Sequence, residues 1–260
     1  MADEPLYGSF VWYDLMTPDP DAAQGFYTKL IGWGTKPWEG PMPYTMWTNK
    51  EAPVGGVMDL PEDAKKGGAP PHWLAYIAVT DVDAKVSQAQ ELGAKVLVPG
   101  TEIPNAGRFA VLQDPQGAVF AVFASSETPA TEHTPKVGEF SWHELATTDH
   151  EGAYDFYSKL FGWKQTEAMD LGEMGTYQMY GVSDQSLGGM FNKPAEMPGP
   201  PFWLYYIKVP DVESAAEQVK EMGGQILRGP MEVPGGDKVV QCLDPQGAAF
   251  ALHSVAPQGN

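Results

Sequence analysis

The chain has 260 residues, of which 43% are hydrophobic and 19% charged, as is typical of a soluble protein with one large or two ordinary domains. Its net charge of −18 disfavours nucleic acid and anionic membrane surfaces as partners, because like charges repel. The single cysteine, Cys242, excludes an intrachain disulfide. No apolar run reaches the roughly 20 residues of a membrane helix, and no signal peptide is evident, so we expect a cytoplasmic protein.

The first predicted unit begins with a strand and continues into an amphipathic helix. Residues 10–16 are rich in aromatic and branched side chains and contain no breaker, which predicts a strand. Apolar residues from Ala22 to Leu30 recur at helical spacing, and Gly32 follows as a left-handed cap. Short strands are expected after the helix, for instance at residues 44–49.

The second predicted unit has the same plan. A strand at residues 73–79 precedes Asp81, which is placed to cap a helix that ends before Gly93. Two further strands, at residues 108–113 and 118–123, flank an Asp-Pro-Gln-Gly hairpin turn. Each unit is therefore predicted to be a strand, a helix and about three strands.

The second half of the chain repeats the first at an offset of 130 residues. Residues 8–15 match residues 138–145 (138 − 8 = 130). The segment Phe-Tyr-Thr-Lys-Leu-Ile-Gly-Trp from Phe26 recurs from Phe156 as Phe-Tyr-Ser-Lys-Leu-Phe-Gly-Trp, and the hairpin Asp-Pro-Gln-Gly-Ala from Asp114 recurs from Asp244. An offset that holds from end to end indicates a duplication.

The repeat and the polar connectors define the predicted domains. Domain 1 covers residues 1–126, with units at about 8–60 and 72–124; residues 127–137 form a linker; domain 2 covers residues 138–256, with units at about 138–191 and 202–254. The predicted fold class is α+β, with each domain a pair of βαβββ modules that form a cupped mixed sheet.

This order of motifs resembles the vicinal oxygen chelate superfamily (glyoxalase, bleomycin resistance and extradiol dioxygenase), and in particular its bacterial tandem glyoxalase-like type. The resemblance implies a divalent metal held by His, Gln or Glu on the inner face of the sheet. Carried over to this chain, the ligand positions are Trp12 and Trp142, Leu74 and Leu204, Ala121 and Ala251, and the neighbourhood of Gly56-Val57 and Gly189-Met190. None of these side chains has a lone pair for such a cation, so we expect no metal and no cofactor.

Strand alternation predicts which side chains share a face with those positions. They are Asp14 beside Trp12, His72 and Tyr76 beside Leu74, Glu144 beside Trp142, Tyr206 beside Leu204, and His253 beside Ala251. The result is an aromatic-lined cup with a few polar groups, which suits a small, partly apolar or aromatic ligand. Three other histidines, His133, His143 and His150, are expected at the surface.

Three function classes stay open at this point. The first is a metal-independent small-molecule-binding protein, monomeric or homodimeric, in which Trp12 and Trp142 either stack on a ligand or pack in the core. The second is a lyase, isomerase or hydroxylase of the same superfamily, in which Glu144 and His253 act as acid and base. The third is a scaffold that binds protein partners.

Overall fold

A computed structural model describes residues 7–127, 134–172, 175–182 and 185–256. The first half of the chain contains eight strands and three helices within this range. They are β1 (Phe10–Thr17), α1 (Pro20–Ile31), β2 (Gly34–Pro37), β3 (Thr45–Asn49), β4 (Ala52–Asp59), α2 (Glu62–Lys66), β5 (His72–Ala78), α3 (Val82–Glu91), β6 (Lys95–Ile103), β7 (Gly107–Gln113) and β8 (Val119–Ser125).

The described part of the second half repeats this order without a counterpart of α2. Its elements are β9 (Phe140–Thr147), α4 (His150–Phe161), β10 (Lys164–Asp170), β11 (Thr176–Val182), β12 (Gln185–Asn192), β13 (Phe202–Lys208), α5 (Val212–Glu221), β14 (Gln225–Glu232), β15 (Lys238–Leu243) and β16 (Ala249–Ser254). The four predicted strand–helix–three-strand units are therefore confirmed. The connector expected between the first two units contains the short helix α2.

Each half contributes one mixed eight-stranded sheet. The strand orders are β2-β3-β4-β1-β5-β8-β7-β6 and β10-β11-β12-β9-β13-β16-β15-β14. The leading strand of a unit pairs in parallel with the last strand of that unit, as β1 does with β4 and β13 with β16, while the hairpins are antiparallel. The predicted α+β class and the two tandem domains are confirmed.

The helix ends follow local sequence signals. The Asp19 side chain accepts a hydrogen bond from the Ala22 N–H, and Asp81 caps α3 through the Ala84 N–H. Gly32 ends α1 with a φ of 83°, a left-handed conformation that costs glycine little because it has no Cβ.

The chain also divides into two compact units, called unit 1 and unit 2, which are not the four strand–helix–three-strand units described above. Each compact unit contains parts of both halves of the chain. Unit 1 comprises residues 1–12, 74–133 and 142–203, and unit 2 comprises residues 13–73, 134–141 and 204–260, within which the described residues are those given above. The domain boundaries expected from the sequence follow the repeat and stay predictions.

The repeated motifs meet inside these compact units. In unit 1 the Tyr157 hydroxyl of α4 donates to Asp114 Oδ2 at 2.9 Å and accepts from Trp203 Nε1 at 3.2 Å. Asp114 Oδ1 accepts from three backbone N–H groups of its own hairpin. The Phe-Tyr helix motif of one half thus binds the Asp-Pro-Gln-Gly hairpin of the other.

Unit 2 contains the matching arrangement. The Tyr27 hydroxyl donates to Asp244 Oδ2 at 3.1 Å and accepts from Trp73 Nε1 at 3.1 Å. Both motifs that carry the repeat therefore have a structural role.

Two of the histidines expected at the surface are buried, and that expectation is wrong for them. His143 is 5% exposed and His150 is 9% exposed. Strand β9 holds the ring of His143, and the first turn of α4 that of His150, against the interior. His133 lies outside the described residues. No described helix is long and apolar enough to span a membrane.

Candidate ligand-binding site

A tyrosine and a carboxylate form the centre of the candidate site in unit 1. The Tyr177 hydroxyl, on β11, donates to Glu144 Oε2, on β9, at 3.1 Å. The same hydroxyl accepts a hydrogen bond of 2.8 Å from the indole N–H of Trp142. Trp142 and Glu144, which the sequence predicts on one face of the strand, are thus joined through a tyrosine.

A glycine on the neighbouring strand makes room for this tyrosine. Gly189, on β12, is the register partner of Glu144. A Cβ at Gly189 would lie 2.1 Å from the Tyr177 ring, closer than real Cβ contacts come. The tyrosine ring therefore needs glycine at this position.

The environment keeps the Tyr177 phenol protonated. Burial raises the Tyr177 pKa well above 10.0, and the negative charge of Glu144 raises it further. A protonated phenol donates its only hydrogen to the carboxylate, so Tyr177 orients Glu144.

The first half contains the same arrangement, within unit 2. The Tyr44 hydroxyl donates to Asp14 Oδ1 at 2.6 Å, and Asp14 is only 5% exposed. A Cβ at Gly56 would lie 2.0 Å from the Tyr44 hydroxyl oxygen, so glycine again makes room for the tyrosine. The tyrosine–carboxylate pair was therefore duplicated with the fold.

The surroundings of the two pairs differ. In unit 1, Tyr177, Ala146 and Phe191 form a buried apolar cluster. Half-buried apolar side chains pack against it: Trp142, Met169, Leu171, Met179, Met197 and Phe202. Methionine is flexible and polarisable, so this wall can adapt its shape to an apolar molecule.

Tyr44 lines an open cavity of about 340 Å³ in unit 2. Besides Tyr44, its lining includes Thr45 and Met58 from the strands and Asp19 and Gln24 from the start of α1. This volume is at the lower end of the roughly 300–1,000 Å³ of small-molecule sites.

The other predicted ligand-binding residues have local partners. Tyr206 is buried and its hydroxyl accepts from Gln241 Nε2 at 2.9 Å, while Tyr76 is buried against Phe109. His72 Nδ1 donates to the Pro70 carbonyl at 2.7 Å, and burial lowers the His72 pKa.

The two tryptophans at the inherited ligand positions of the leading strands, Trp12 and Trp142, are half-buried. Such exposure is compatible with stacking on a ligand as well as with packing.

The predicted Glu144–His253 pair joins residues of different compact units, and it stays a prediction. His253 has partners in its own unit, namely Ser141 Oγ and Asp237 Oδ2, each at 2.9 Å from a ring nitrogen.

Sequence reasoning missed Tyr44 and Tyr177, although a signal exists. Each tyrosine precedes its glycine by 12 residues (56 − 44 and 189 − 177). The offset between the halves is 133 residues here instead of 130, because the segment between the helix and the tyrosine is three residues longer in the second half (177 − 163 = 14 against 44 − 33 = 11).

The described residues do not fit the metal that the resemblance implies. Leu74, Leu204, Ala121 and Ala251 at the inherited ligand positions are buried and apolar. No group of three or more His, Cys, Asp or Glu side chains able to hold a metal occurs among the described residues. A catalytic zinc site usually has three protein ligands, so a single pair of such side chains is too few to form one.

Comparison with known proteins agrees with the fold. Residues 139–252 match the family model described as Glyoxalase/Bleomycin resistance protein/Dioxygenase superfamily, and residues 11–123 match that of a Glyoxalase-like domain. The "Putative glyoxylase CFP32" of Mycobacterium tuberculosis is 33% identical over 95% of each chain. The anthracycline biosynthesis protein DauV of Streptomyces sp. (strain C5) is 30% identical over 94% of this chain and 92% of its own length.

Among solved structures, the Mn(II)-bound glyoxalase from Novosphingobium aromaticivorans has a TM-score of 0.66 at 18% identity. The similarity covers 98% of this chain and 84% of that one, and at this identity it shows the shared fold alone. The chain belongs to the glyoxalase/bleomycin resistance/dioxygenase superfamily, as a tandem two-domain member.

Proposed function

We propose that this chain binds a small, partly apolar or aromatic molecule beside its tyrosine–carboxylate pairs, and that binding needs no metal. The observation that carries the proposal is the duplication of the pair. Asp14 with Tyr44 and Glu144 with Tyr177 occur at equivalent places, each with a glycine that admits the ring.

The chemistry of the pair suits a ligand with a hydrogen-bond donor. A carboxylate has about four acceptor sites, of which the tyrosine uses one. A ligand hydroxyl or amine could then bind Glu144 while its apolar part lies against Trp142 and Met179. Stacking on an aromatic side chain adds roughly 0.5–1.5 kcal/mol beyond the buried area.

The donor set supports metal independence. Tyr44 and Tyr177 already occupy carboxylate oxygens of Asp14 and Glu144. A metal in place of the hydrogen bond to Glu144 would take the acceptor of the buried Tyr177 O–H, whose oxygen would keep only the Trp142 N–H, and a buried donor without its acceptor costs about 1–3 kcal/mol.

The names of relatives favour the same ligand class. DauV is named for anthracycline biosynthesis, and anthracyclines, as a chemical class, contain a planar ring system with hydroxyl groups. That chemistry combines an aromatic face with hydrogen-bond donors.

Tryptophan fluorescence tests the proposal with hydroxylated planar aromatics of one to four fused rings as probes. Trp142→Ala should weaken binding by about 0.5–1.5 kcal/mol beyond the lost area. Tyr177→Phe should weaken it about tenfold, equivalent to 1.4 kcal/mol, since Glu144 loses its orienting partner.

Tyr154→Phe is the matched control, because the Tyr154 hydroxyl of α4 donates to the Trp163 carbonyl and has no contact with Glu144. Binding should be unchanged by EDTA. Equal affinities for the parent, Trp142→Ala and Tyr177→Phe proteins would refute this site, and loss of binding in EDTA would refute metal independence.

A second candidate is an acid–base enzyme, favoured by the oriented Glu144 carboxylate. An ionised carboxylate held by a tyrosine can accept a proton from a bound substrate. A turnover that disappears in Glu144→Gln while the ligand still binds would identify the enzyme. Binding without any turnover would favour the binding protein over the enzyme.

A further inference from the structure

A serine, a histidine and an aspartate form a hydrogen-bonded series in unit 2. His253, on β16, lies with Nδ1 2.9 Å from Ser141 Oγ, on β9. Its Nε2 lies 2.9 Å from Asp237 Oδ2, in the turn between β14 and β15. This series shares no residue with either tyrosine–carboxylate pair.

The chemistry of the partners fixes the direction of the hydrogen bonds. Burial raises the Asp237 pKa, but hydrogen bonds from the Ala256 N–H and His253, with the charges of His253 and then Lys208, outweigh it and lower the pKa overall. An ionised carboxylate only accepts, so Nε2 carries the hydrogen. In neutral His253 Nδ1 is then a lone pair, and Ser141 Oγ donates to it.

The fold itself does not need these three side chains. The residues 130 positions earlier, at the same places in the first half, are Val11, Gly107 and Phe123. The first sheet forms its strands with those apolar residues and glycine. Lys208, whose charge acts on Asp237, likewise has Ala78 as its counterpart. A polar series is therefore specific to the second half.

The series is partly exposed to solvent. The His253 side chain is 17% exposed and that of Asp237 is 35% exposed, while Ser141 is half-buried. A second acceptor for Ser141, the Tyr206 carbonyl, lies at 3.4 Å, which is a weaker contact than that to His253.

We propose that Ser141 is an activated nucleophile, with His253 as its base and Asp237 as the positioning residue, and that it reacts with activated acyl esters. A nucleophile within hydrogen-bond reach of a base that a third group orients is the arrangement that activates a serine hydroxyl. This activity is independent of the ligand-binding function proposed above.

The reaction proceeds in two balanced steps. Ser141 Oγ bonds to the acyl carbon, its proton moves to His253 Nδ1, and the ester C–O bond breaks as the leaving oxygen takes that proton. Water then attacks the acyl-serine and gives a proton to His253, which returns it to Ser141 as the carboxylic acid leaves.

A fluorophosphonate probe on the full-length folded protein tests the proposal, with the labelled residue located by mass spectrometry. Phosphorus bonds to Ser141 Oγ, fluoride leaves and the proton goes to His253. Ser158 serves as the control serine, because it is also half-buried but donates to the Asp155 carbonyl. Ser141 should label at least tenfold faster than Ser158.

The control variants carry at Ser141 and His253 the residues of the first half, Val11 and Phe123. Because the first sheet forms with those residues, a loss of labelling is not expected to come from a loss of folding. Ser141→Val should abolish the adduct, and His253→Phe should slow labelling about 100-fold, the usual contribution of a general base. Asp237→Asn should slow it because an amide N–H facing Nε2 favours the wrong tautomer, and Asp237→Glu should restore part of the rate.

Two results would overturn the proposal. One is no adduct on Ser141 in the folded parent protein, and the other is labelling of Ser141 at the same rate in parent and His253→Phe. Neither result affects the binding of aromatic probes at Trp142, so the two proposals fail separately.

Discussion

His143 is a titratable side chain held inside unit 1. Its Nδ1 donates to the Leu187 carbonyl at 2.7 Å, and its ring stacks on Phe10 with centroids 3.9 Å apart. Burial lowers the His143 pKa from 6.5 to about 4, although the hydrogen bond to Leu187 partly opposes this. The folded protein therefore holds this imidazole neutral at a pH where the unfolded chain protonates it.

This difference predicts acid sensitivity. Between pH 6.5 and 4 the unfolded state binds the extra proton, so stability from His143 is complete above pH 6.5 and is lost as the pH falls to about 4. The loss is on the order of 3 kcal/mol. Urea unfolding from pH 7 to pH 4 should show a smaller decrease for His143→Gln, whose amide can still donate to Leu187. Parallel pH curves for parent and variant would contradict the prediction.

Strand β12 depends on a glycine where it passes Tyr177. Because the Cβ of an alanine at Gly189 would lie 2.1 Å from the Tyr177 ring, the tyrosine must move away from Glu144. The same holds for β4, where Gly56 faces Tyr44. These glycines belong to the candidate site because they leave space for the tyrosine rings, although they have no functional group of their own.

Gly189→Ala should therefore weaken the binding of planar aromatic probes at least as much as Tyr177→Phe. Gly25→Ala, in α1, is the control, because its Cβ would meet nothing within 4 Å. Alanine there should stabilise the helix by about 0.5–1 kcal/mol and leave binding unchanged. Fluorescence titration and urea unfolding of both variants measure the two effects. Unaltered binding in Gly189→Ala would show that Tyr177 does not orient the ligand site.

Across the whole molecule, local signals made the fold predictable and long-range pairing limited the prediction of the site. Strand β1, helix α1 and its Gly32 cap follow from neighbouring residues, and the constant offset repeats them in the second half. Glu144 was predicted from strand alternation, but its partner Tyr177 lies 33 residues away, beyond a helix and a segment that is longer than its counterpart in the first half. Alternation describes one strand, and only the pairing of distant strands brings a second side chain to it.

The Asp-Pro-Gln-Gly hairpin is where the repeat itself contributes to stability, through Asp114 in unit 1 and Asp244 in unit 2. Burial raises the Asp114 pKa, against the opposing hydrogen bonds of Tyr157 and the hairpin N–H groups. Folding thus favours the protonated form of the Asp114 carboxyl. The stability that this form contributes is complete below the Asp114 pKa of the unfolded chain, and it is lost as the pH rises through the Asp114 pKa of the folded protein. An uncharged acceptor at this position avoids that loss.

Asp114→Asn should lose about 1–3 kcal/mol at pH 7, since its amide oxygen can still accept from the hairpin but its NH2 group takes the place of the oxygen to which the Tyr157 hydroxyl donates. Asp114→Ala removes the side-chain acceptor of the Gln116 and Ala118 N–H groups and of the Tyr157 hydroxyl, whereas the Gly117 N–H keeps the Asp114 carbonyl. Each unpaired buried group costs about 1–3 kcal/mol, so the alanine variant should be the less stable by several kcal/mol. Urea unfolding of the full chain measures both, with Asp244→Asn and Asp244→Ala as the matched pair in the other unit. Equal stabilities of the asparagine and alanine variants would show that the hairpin does not depend on this side chain.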